Sequence, residues 1–103
     1  MVDEVDKLYE VVLTPDFLED LEAAVRYVGE ELESPGAARQ LYIAVREKVE
    51  GLAVLPGAAA VRGMTADGRM RYAVSHKRYD IHYVIDGTVV RVTALKHQLQ
   101  NYR

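Results

Sequence analysis

The segment RYDIHYVIDG, residues 78–87, decides how this chain folds. Large apolar residues alternate with other residues along it, which is typical of a β-strand with one buried face and one wet face. The dipeptide Asp86-Gly87 ends the segment, and both residues tolerate the positive φ angles of a two-residue hairpin turn. Residues 89–95 alternate in the same way, so the two stretches are predicted to pair as antiparallel strands.

A third alternating stretch precedes the segment. Residues 69–74 place Met70, Tyr72 and Val74 on one side of a strand. These three stretches predict an antiparallel meander. The residues predicted to face its core are Met70, Tyr72, Val74, Tyr79, Ile81, Tyr83, Ile85, Val90, Val92 and Ala94.

Two helices are predicted before the meander. Thr14-Pro15 and Ser34-Pro35 are both helix-start signals, and Pro56-Gly57 ends the second helix. The first helix is expected to run to about Leu32. Apolar residues recur at spacings of three and four and predict one core-facing stripe per helix: Leu18, Leu21, Val25, Val28 and Leu32, then Ala38, Leu41, Val45, Val49 and Leu52.

The short apolar run Leu8–Leu13 predicts an additional first strand. The order of strand, two helices and three strands predicts an α+β fold, with an antiparallel helical hairpin on one face of the sheet. We expect one domain over residues 1–103. Within it, residues 1–7 are predicted to be an acidic tail, residues 57–68 a loop, and residues 97–103 a C-terminal tail.

The composition of the chain indicates its cellular compartment and its class of partners. The chain has no cysteine, which fits a reducing compartment, and no apolar run reaches the roughly 18 residues that a membrane span requires. We therefore expect a cytoplasmic protein without a membrane partner. The net charge of −3 conceals a strong asymmetry, because residues 1–34 carry eleven acids against two bases, whereas residues 61–103 carry eight bases against three acids.

Alternation also predicts what the open face of the sheet carries. Arginine and lysine on such a face suit phosphate groups, although an antiparallel sheet with one wet face needs polar residues there in any case. His97 joins this face only if the last strand continues straight through Lys96. The residues expected on the face are Arg69, Arg71, His82, Arg91 and Thr93, with Lys77 and Arg78 at a neighbouring turn.

Three motifs resemble the RelE/ParE superfamily of type II toxin–antitoxin toxins, which includes plasmid stabilisation proteins. They are LAVLP at residues 52–56, RYDIHYVIDG at residues 78–87, and HQLQNY at residues 97–102. The last is similar to the "H-x-x-Q-[DN]-Y" ending of one bacterial branch. Their order and spacing cover nearly the whole chain.

The resemblance implies a toxin that a cognate antitoxin neutralises, as a toxin–antitoxin hetero-oligomer. RelE-like members cleave ribosome-bound mRNA, whereas ParE-like members poison DNA gyrase without a catalytic set. The leading expectation is a metal-independent endoribonuclease (an mRNA interferase), with gyrase inhibition as the alternative. A member that binds its antitoxin but inhibits nothing is a third possibility.

For message cleavage, the resemblance assigns residue roles one by one. His97 is expected to act as general acid or base, Arg71 to bind the scissile phosphate, and Tyr102 to stack on a base or donate a proton. Asp80 departs from the pattern, because RelE members often have arginine there. The residues expected to bind RNA phosphates are Arg69, Lys77, Arg78, Arg91 and His82.

No metal or cofactor is expected. The three histidines, His76, His82 and His97, lack metal-ligand spacing, and no phosphate-cradling glycine motif is present. Exposed apolar residues of the helical hairpin, such as Tyr27 or Tyr42, are candidates for antitoxin contact. A homodimer is possible, but nothing in the sequence requires one.

Overall fold

The computed structural model describes residues 8–99. Two helices pack on one face of a five-stranded sheet, which confirms the predicted α+β architecture. The elements, in chain order, are β1 (Glu10–Leu13), α1 (Pro15–Arg26), a π-helical turn (Tyr27–Glu31), α2 (Pro35–Gly51), a 3₁₀ turn (Pro56–Ala58), β2 (Ala60–Met64), β3 (Met70–His76), β4 (Tyr79–Asp86) and β5 (Val89–His97).

The strand order is β1-β5-β4-β3-β2. Strands β3, β4 and β5 form the predicted antiparallel meander, and Gly87 adopts the positive φ of 64° that its hairpin turn requires. The first strand joins the sheet differently, since β1 runs parallel to β5. The helical hairpin between β1 and the meander supplies the long connection that a parallel arrangement needs.

Thr14 sets the start of α1, as its position before a proline predicts. Its side-chain oxygen accepts a hydrogen bond from the backbone N–H of Phe17 at 3.3 Å. The same hydroxyl donates to the carbonyl oxygen of Val92 at 2.8 Å. One side chain therefore caps the helix and ties its first turn to β5, which positions the hairpin over the sheet.

The two predicted helical stripes differ in how completely they are buried. All five predicted core residues of the second stripe are buried, which confirms that prediction. In the first stripe the prediction is wrong for Leu18 and Leu32, which are 46% and 55% exposed. Phe17 takes the core position instead, because it lies one helical turn before the buried Leu21 and so shares its face.

The prediction of a loop over residues 57–68 is wrong at its centre, where β2 pairs with β3. All five residues of β2 are exposed, so this edge strand has no alternation of buried and wet positions. A register irregularity between Val61 and Met64 interrupts the pairing further, and Gly63 within it has φ 124°. An exposed and irregular strand leaves no periodic signal in the sequence.

The C-terminal half of β5 also differs from its prediction. His82 pairs with Ala94 and Tyr83 pairs with Val92, so Thr93 is an extra residue in a β-bulge. A bulge exchanges the faces of all later side chains. Leu95 is therefore buried in the core, and Ala94 lies on the open face, the reverse of the expected assignment.

Tyr83 links the centre of the sheet to the 3₁₀ turn. It is fully buried, it stacks on Tyr72 with ring centroids 5.5 Å apart, and its hydroxyl donates to the carbonyl oxygen of Pro56 at 2.5 Å. Burial raises the pKa of Tyr83 to about 12. The side chain is therefore protonated near neutral pH, where its hydroxyl acts as a hydrogen-bond donor.

Replacing Tyr83 by phenylalanine is expected to lower the free energy of unfolding by about 1–2 kcal/mol, because the carbonyl of Pro56 loses its donor. Urea denaturation measures this change. Tyr72→Phe is the matched control, because within residues 8–99 its hydroxyl hydrogen-bonds to the sulfur of Met70 alone, at 3.9 Å. The control is expected to change stability by less than about 0.5 kcal/mol. Equal losses in the two variants would contradict the role of the Pro56 bond.

Candidate functional site

The open face of the sheet, opposite the helices, carries a cleft of about 610 Å³. We call it the open-face cleft. Residues from four strands and from the β2–β3 loop converge there, so it exists only once the sheet has formed. Its lining residues are Arg62, Thr65, Arg71, Asp80, His82, Thr93, Ala94 and Lys96.

Arg71 lies across β2 at the side of the cleft. Its Nη2 donates to the carbonyl oxygen of Arg62 at 2.8 Å, whereas its Nε is buried and has no hydrogen-bond partner among residues 8–99. Gly63 makes room for this arrangement, since a Cβ at that position would lie 3.2 Å from Nη2 of Arg71. The positive φ of Gly63 is a second reason for glycine at this position.

His82 lies beside Arg71 on the same face. Its Nε2 is buried and has no hydrogen-bond partner among residues 8–99. Burial is the main cause that lowers the pKa of His82, and the charge of Arg71 lowers it further. Asp80 opposes this shift without cancelling it. The imidazole is consequently neutral around neutral pH.

Asp80 is the carboxylate that the sequence places among the cations. It is 3% exposed and accepts hydrogen bonds from Ser75 at 2.7 Å and from the side-chain amide of Gln98 at 3.1 Å. Arg62 lies 3.7 Å away. Burial alone would raise the pKa of Asp80, but these hydrogen bonds and the Arg62 charge outweigh burial and hold it below its usual value. Asp80 is therefore an ionised group whose partners link β2, β3 and β4 to Gln98, just after β5.

Arg69 and Arg91, two predicted phosphate ligands, line a second cleft of about 320 Å³ on the same face. Asp86 pairs with both, at 3.0 Å from Arg69 and 3.8 Å from Arg91. Asp67 also pairs with Arg69, at 3.3 Å. The structure thus brings both arginines to the predicted face, but carboxylates offset their charges.

Lys77 and Arg78 form the turn between β3 and β4. Both are exposed, and no carboxylate of residues 8–99 lies within ion-pair distance of either. The carbonyl oxygen of Arg78 accepts a hydrogen bond from the backbone N–H of Gln98 at 2.7 Å. Neither residue lines the open-face cleft, so the structure does not bring these two charges together with Arg71.

His97 lies on the other face of the sheet, against α1. Its ring meets that of Tyr79 edge-on with centroids 5.1 Å apart, in a cleft that Asp20 and Tyr27 also line. Its Nδ1 accepts a hydrogen bond from the backbone N–H of Leu99 at 3.1 Å. The bulge at Thr93 causes this placement, because β5 does not continue in register through Lys96 as the open-face assignment requires.

The structure therefore does not bring His97 together with Arg71, since the sheet separates them. His82 is the imidazole that shares a face with Arg71. Tyr102 lies outside the described residues. Arg62 and Lys96 are cleft residues that sequence reasoning did not select, because Arg62 is in the edge strand read as a loop and Lys96 follows the bulge.

The helical hairpin carries a separate apolar groove. Two adjoining depressions of about 640 and 220 Å³ share Leu18, Leu21 and Tyr42. We call them together the hairpin groove. Leu18 and Tyr42 are 46% and 41% exposed. Tyr42 thus belongs to the groove, whereas Tyr27 lines the cleft beside His97.

Two absences apply to residues 8–99. No group of three or more histidine, cysteine or acidic residues is arranged to hold a metal ion. No helix in this part of the chain is long and apolar enough to cross a membrane.

Comparisons with known proteins identify the family of the chain and the solved structures that it resembles. The model of the family described as the ParE toxin of the type II toxin–antitoxin system parDE matches residues 11–102. A search of curated proteins finds no match. Among solved structures, the chain resembles one from the chromosomal ParDE system of P. aeruginosa, with TM-score 0.71 and 15% identity over 89% of this chain and 98% of that chain.

A second similar structure comes from the toxin–antitoxin complex RelBE2 of Mycobacterium tuberculosis. It has TM-score 0.60 and 19% identity over 89% of this chain and 93% of that chain. At these identities the structures establish a shared fold, which agrees with the superfamily that the motifs indicate. Because the family model spans nearly the whole chain, this chain belongs to the ParE toxin family of type II toxin–antitoxin systems.

Proposed function

We propose that this toxin stops growth by binding DNA gyrase, without catalysing a reaction of its own. The observation that carries the proposal is the separation of His97 from Arg71 by the thickness of the sheet. Membership of the ParE family supports the choice of target. Gyrase is a cytoplasmic enzyme, so the proposal also places the action of the toxin in the cytoplasm.

The chemistry of message cleavage explains why this separation matters. A metal-free ribonuclease must deprotonate a 2′-hydroxyl, protonate the 5′-oxygen and stabilise the phosphate between them, with each group within hydrogen-bond reach. His97 and Arg71 cannot contact the same phosphate from opposite faces of a sheet. Asp86 forms ion pairs with both Arg69 and Arg91, and this weakens the two arginines as phosphate ligands.

Cleavage of ribosome-bound mRNA is the second candidate, and the position of His82 favours it. This imidazole lines the open-face cleft beside Arg71, and its lowered pKa leaves it neutral and able to accept a proton. In this second candidate function, His82 acts as the general acid or base, which is the role that the family resemblance assigns to His97. Of the described residues, His82 is the one histidine that lines the open-face cleft, so the protonation of the leaving group has no second imidazole there.

Two assays on the purified toxin test these candidates. We expect the wild-type protein to inhibit supercoiling of relaxed plasmid by gyrase, and to leave a translated message uncut in primer extension. His97→Ala is expected to inhibit gyrase as strongly as wild type. Message cleavage that is lost in Arg71→Ala, together with unimpaired supercoiling, would overturn the proposal in favour of the second candidate. Inactivity in both assays, with harmless overexpression, would overturn both.

We also propose that the hairpin groove is where the cognate antitoxin binds. The groove is apolar and open, and it is lined by residues that a monomer leaves half exposed, such as Leu18 and Tyr42. A helix-in-groove contact removes such residues from water. The similar structures come from toxin–antitoxin systems, which supports an antitoxin as the occupant and a hetero-oligomer as the resting state.

A further inference from the structure

We propose that the antitoxin segment in the hairpin groove is a basic amphipathic helix, whose apolar stripe fills the groove and whose lysine or arginine residues meet its acidic rim. This inference rests on the proposed groove contact, and it adds the chemistry of the partner. Three observations support it: the shape and lining of the groove, the charges along its rim, and the opposite charge of the open-face cleft.

The groove has the shape and lining of a helix-binding site. Its two depressions, of about 640 and 220 Å³, share Leu18, Leu21 and Tyr42. Gly29 and Ala38 line the larger depression and leave it open, because neither carries a side chain beyond Cβ. A Cβ added at Gly29 would lie 3.4 Å from that of Ala38. A helix presents apolar residues at spacings of three, four and seven to such a surface, so its large side chains can enter both depressions.

The rim of the groove carries more negative than positive charge. Its acids are Glu22, Glu30 and Glu50, and its bases are Arg26 and Arg46. Arg26 pairs with Glu22 at 2.8 Å within α1. Arg46 pairs with Glu50 at 3.2 Å within α2. Among residues 8–99, Glu30 has no cation within ion-pair distance, so its charge is left for a partner to neutralise.

The surface around the groove has the same sign of charge. Residues 15–51, which contain both helices and the turn between them, carry nine acids against four bases. Each exposed ion pair contributes little stability, whereas a surplus of one charge sets the sign of the local field. A positively charged segment is therefore attracted to the helical hairpin, and this attraction raises its association rate.

The open-face cleft, across the sheet from the hairpin, has the opposite balance of charge. Among the described residues, it is lined by three cations, Arg62, Arg71 and Lys96, and by one carboxylate, that of Asp80. A basic helix is repelled from this cleft. An acidic helix would be attracted to the cleft and repelled by the rim of the groove, so the sign of the charge selects the site.

The first test measures the affinity of the purified toxin for its cognate antitoxin by calorimetry, as sodium chloride is raised from about 50 mM to about 500 mM. The Debye length falls from more than about 10 Å to about 4 Å over this range. We expect the affinity to fall about tenfold, because salt screens the attraction between the basic helix and the acidic rim. An affinity that stays constant or rises with salt overturns the proposal.

The second test reverses one charge of the rim. Glu30→Lys is expected to weaken antitoxin binding about tenfold at low salt, because attraction is replaced by repulsion. Glu47→Lys is the matched control, since it makes the same change at an exposed acid of α2 that does not line the groove. The control is expected to bind within about threefold of wild type. Glu30→Gln, which is neutral, is expected to lie between wild type and Glu30→Lys. Equal affinities of Glu30→Lys and Glu47→Lys overturn the proposal.

A third variant, Leu18→Asp, separates this proposal from the groove contact on which it rests. If Leu18→Asp loses antitoxin binding while Glu30→Lys binds as wild type does, the groove contact stands and the basic helix is wrong. If neither variant changes the affinity, the groove contact itself fails, and the basic helix fails with it. Weaker binding in both variants, together with weakening by salt, is the result that we expect.

Discussion

A toxin that carries Leu18→Asp is expected to bind its antitoxin about 100-fold more weakly than wild type, and to keep its fold and its toxicity. Leu18 is 46% exposed at the centre of the hairpin groove, where it is common to both depressions. Docking of an apolar segment would require the new carboxylate to lose its water without gaining a partner, which is strongly unfavourable. In cells, co-expression of the antitoxin is expected to rescue growth from the wild-type toxin and not from this variant.

Leu32→Asp is the matched control for this experiment. Leu32 is also an exposed leucine of the helical hairpin, at 55%, but it does not line the groove. The control is expected to bind the antitoxin as wild type does, when affinity is measured by calorimetry. If Leu18→Asp also binds normally, the antitoxin docks elsewhere and the proposed groove contact is wrong.

The second large effect is expected at Asp80. Asp80→Asn should lower the free energy of unfolding by about 3 kcal/mol near neutral pH, because a buried carboxylate loses charge-assisted hydrogen bonds from Ser75 and Gln98. The pair with Arg62 contributes less, since that arginine is 46% exposed and the distance is 3.7 Å. Loss of the charge also weakens the side-chain bond between Gln98 and β4, so the amide protons of Gln98 and Leu99 are expected to exchange faster.

The pH dependence of this loss has a definite sign. The pKa of Asp80 in the folded chain lies below its usual value, so its ionised form stabilises the fold above the unfolded pKa. That contribution fades as the pH falls below about 4 and through the folded pKa. The difference between wild type and Asp80→Asn, measured by urea denaturation, should therefore shrink in acid.

Glu47→Gln is the control for the pH series, because Glu47 is an exposed acid of α2. We expect its stability to follow that of wild type within about 0.5 kcal/mol across the same pH range. A difference between wild type and Asp80→Asn that stays constant into acid would contradict the assignment of the ionised carboxylate as the stabilising group.

Much of the fold was predictable because its determinants are local. Thr14 caps α1 with its own hydroxyl, and Asp86-Gly87 forms its turn from two neighbouring residues. The α2 stripe depends only on the helical period, and every member is buried. The family motifs are likewise continuous stretches of chain, so the superfamily was identified correctly without any knowledge of strand pairing.

The candidate site was less predictable, because its members meet only through pairing between strands. Arg62 belongs to an edge strand that buries none of its own residues, so no pattern marked it. In the sequence, Asp80 departs from the family pattern, because it is an acid where RelE members often have arginine. In the folded chain it is a buried group whose hydrogen bonds come from Ser75, five residues earlier, and from Gln98, eighteen residues later.

By itself, the sequence determined the two helices, the meander, its open polar face and the family, since each follows from residue period, turn chemistry or contiguous motifs. Only the tertiary structure decided which face receives His97. The β5 strand pairs with β4 in two registers, one on each side of Thr93, and this shift is the bulge. One extra residue exchanges the faces of all that follow, and it leaves His82 as the histidine that shares the open-face cleft with Arg71.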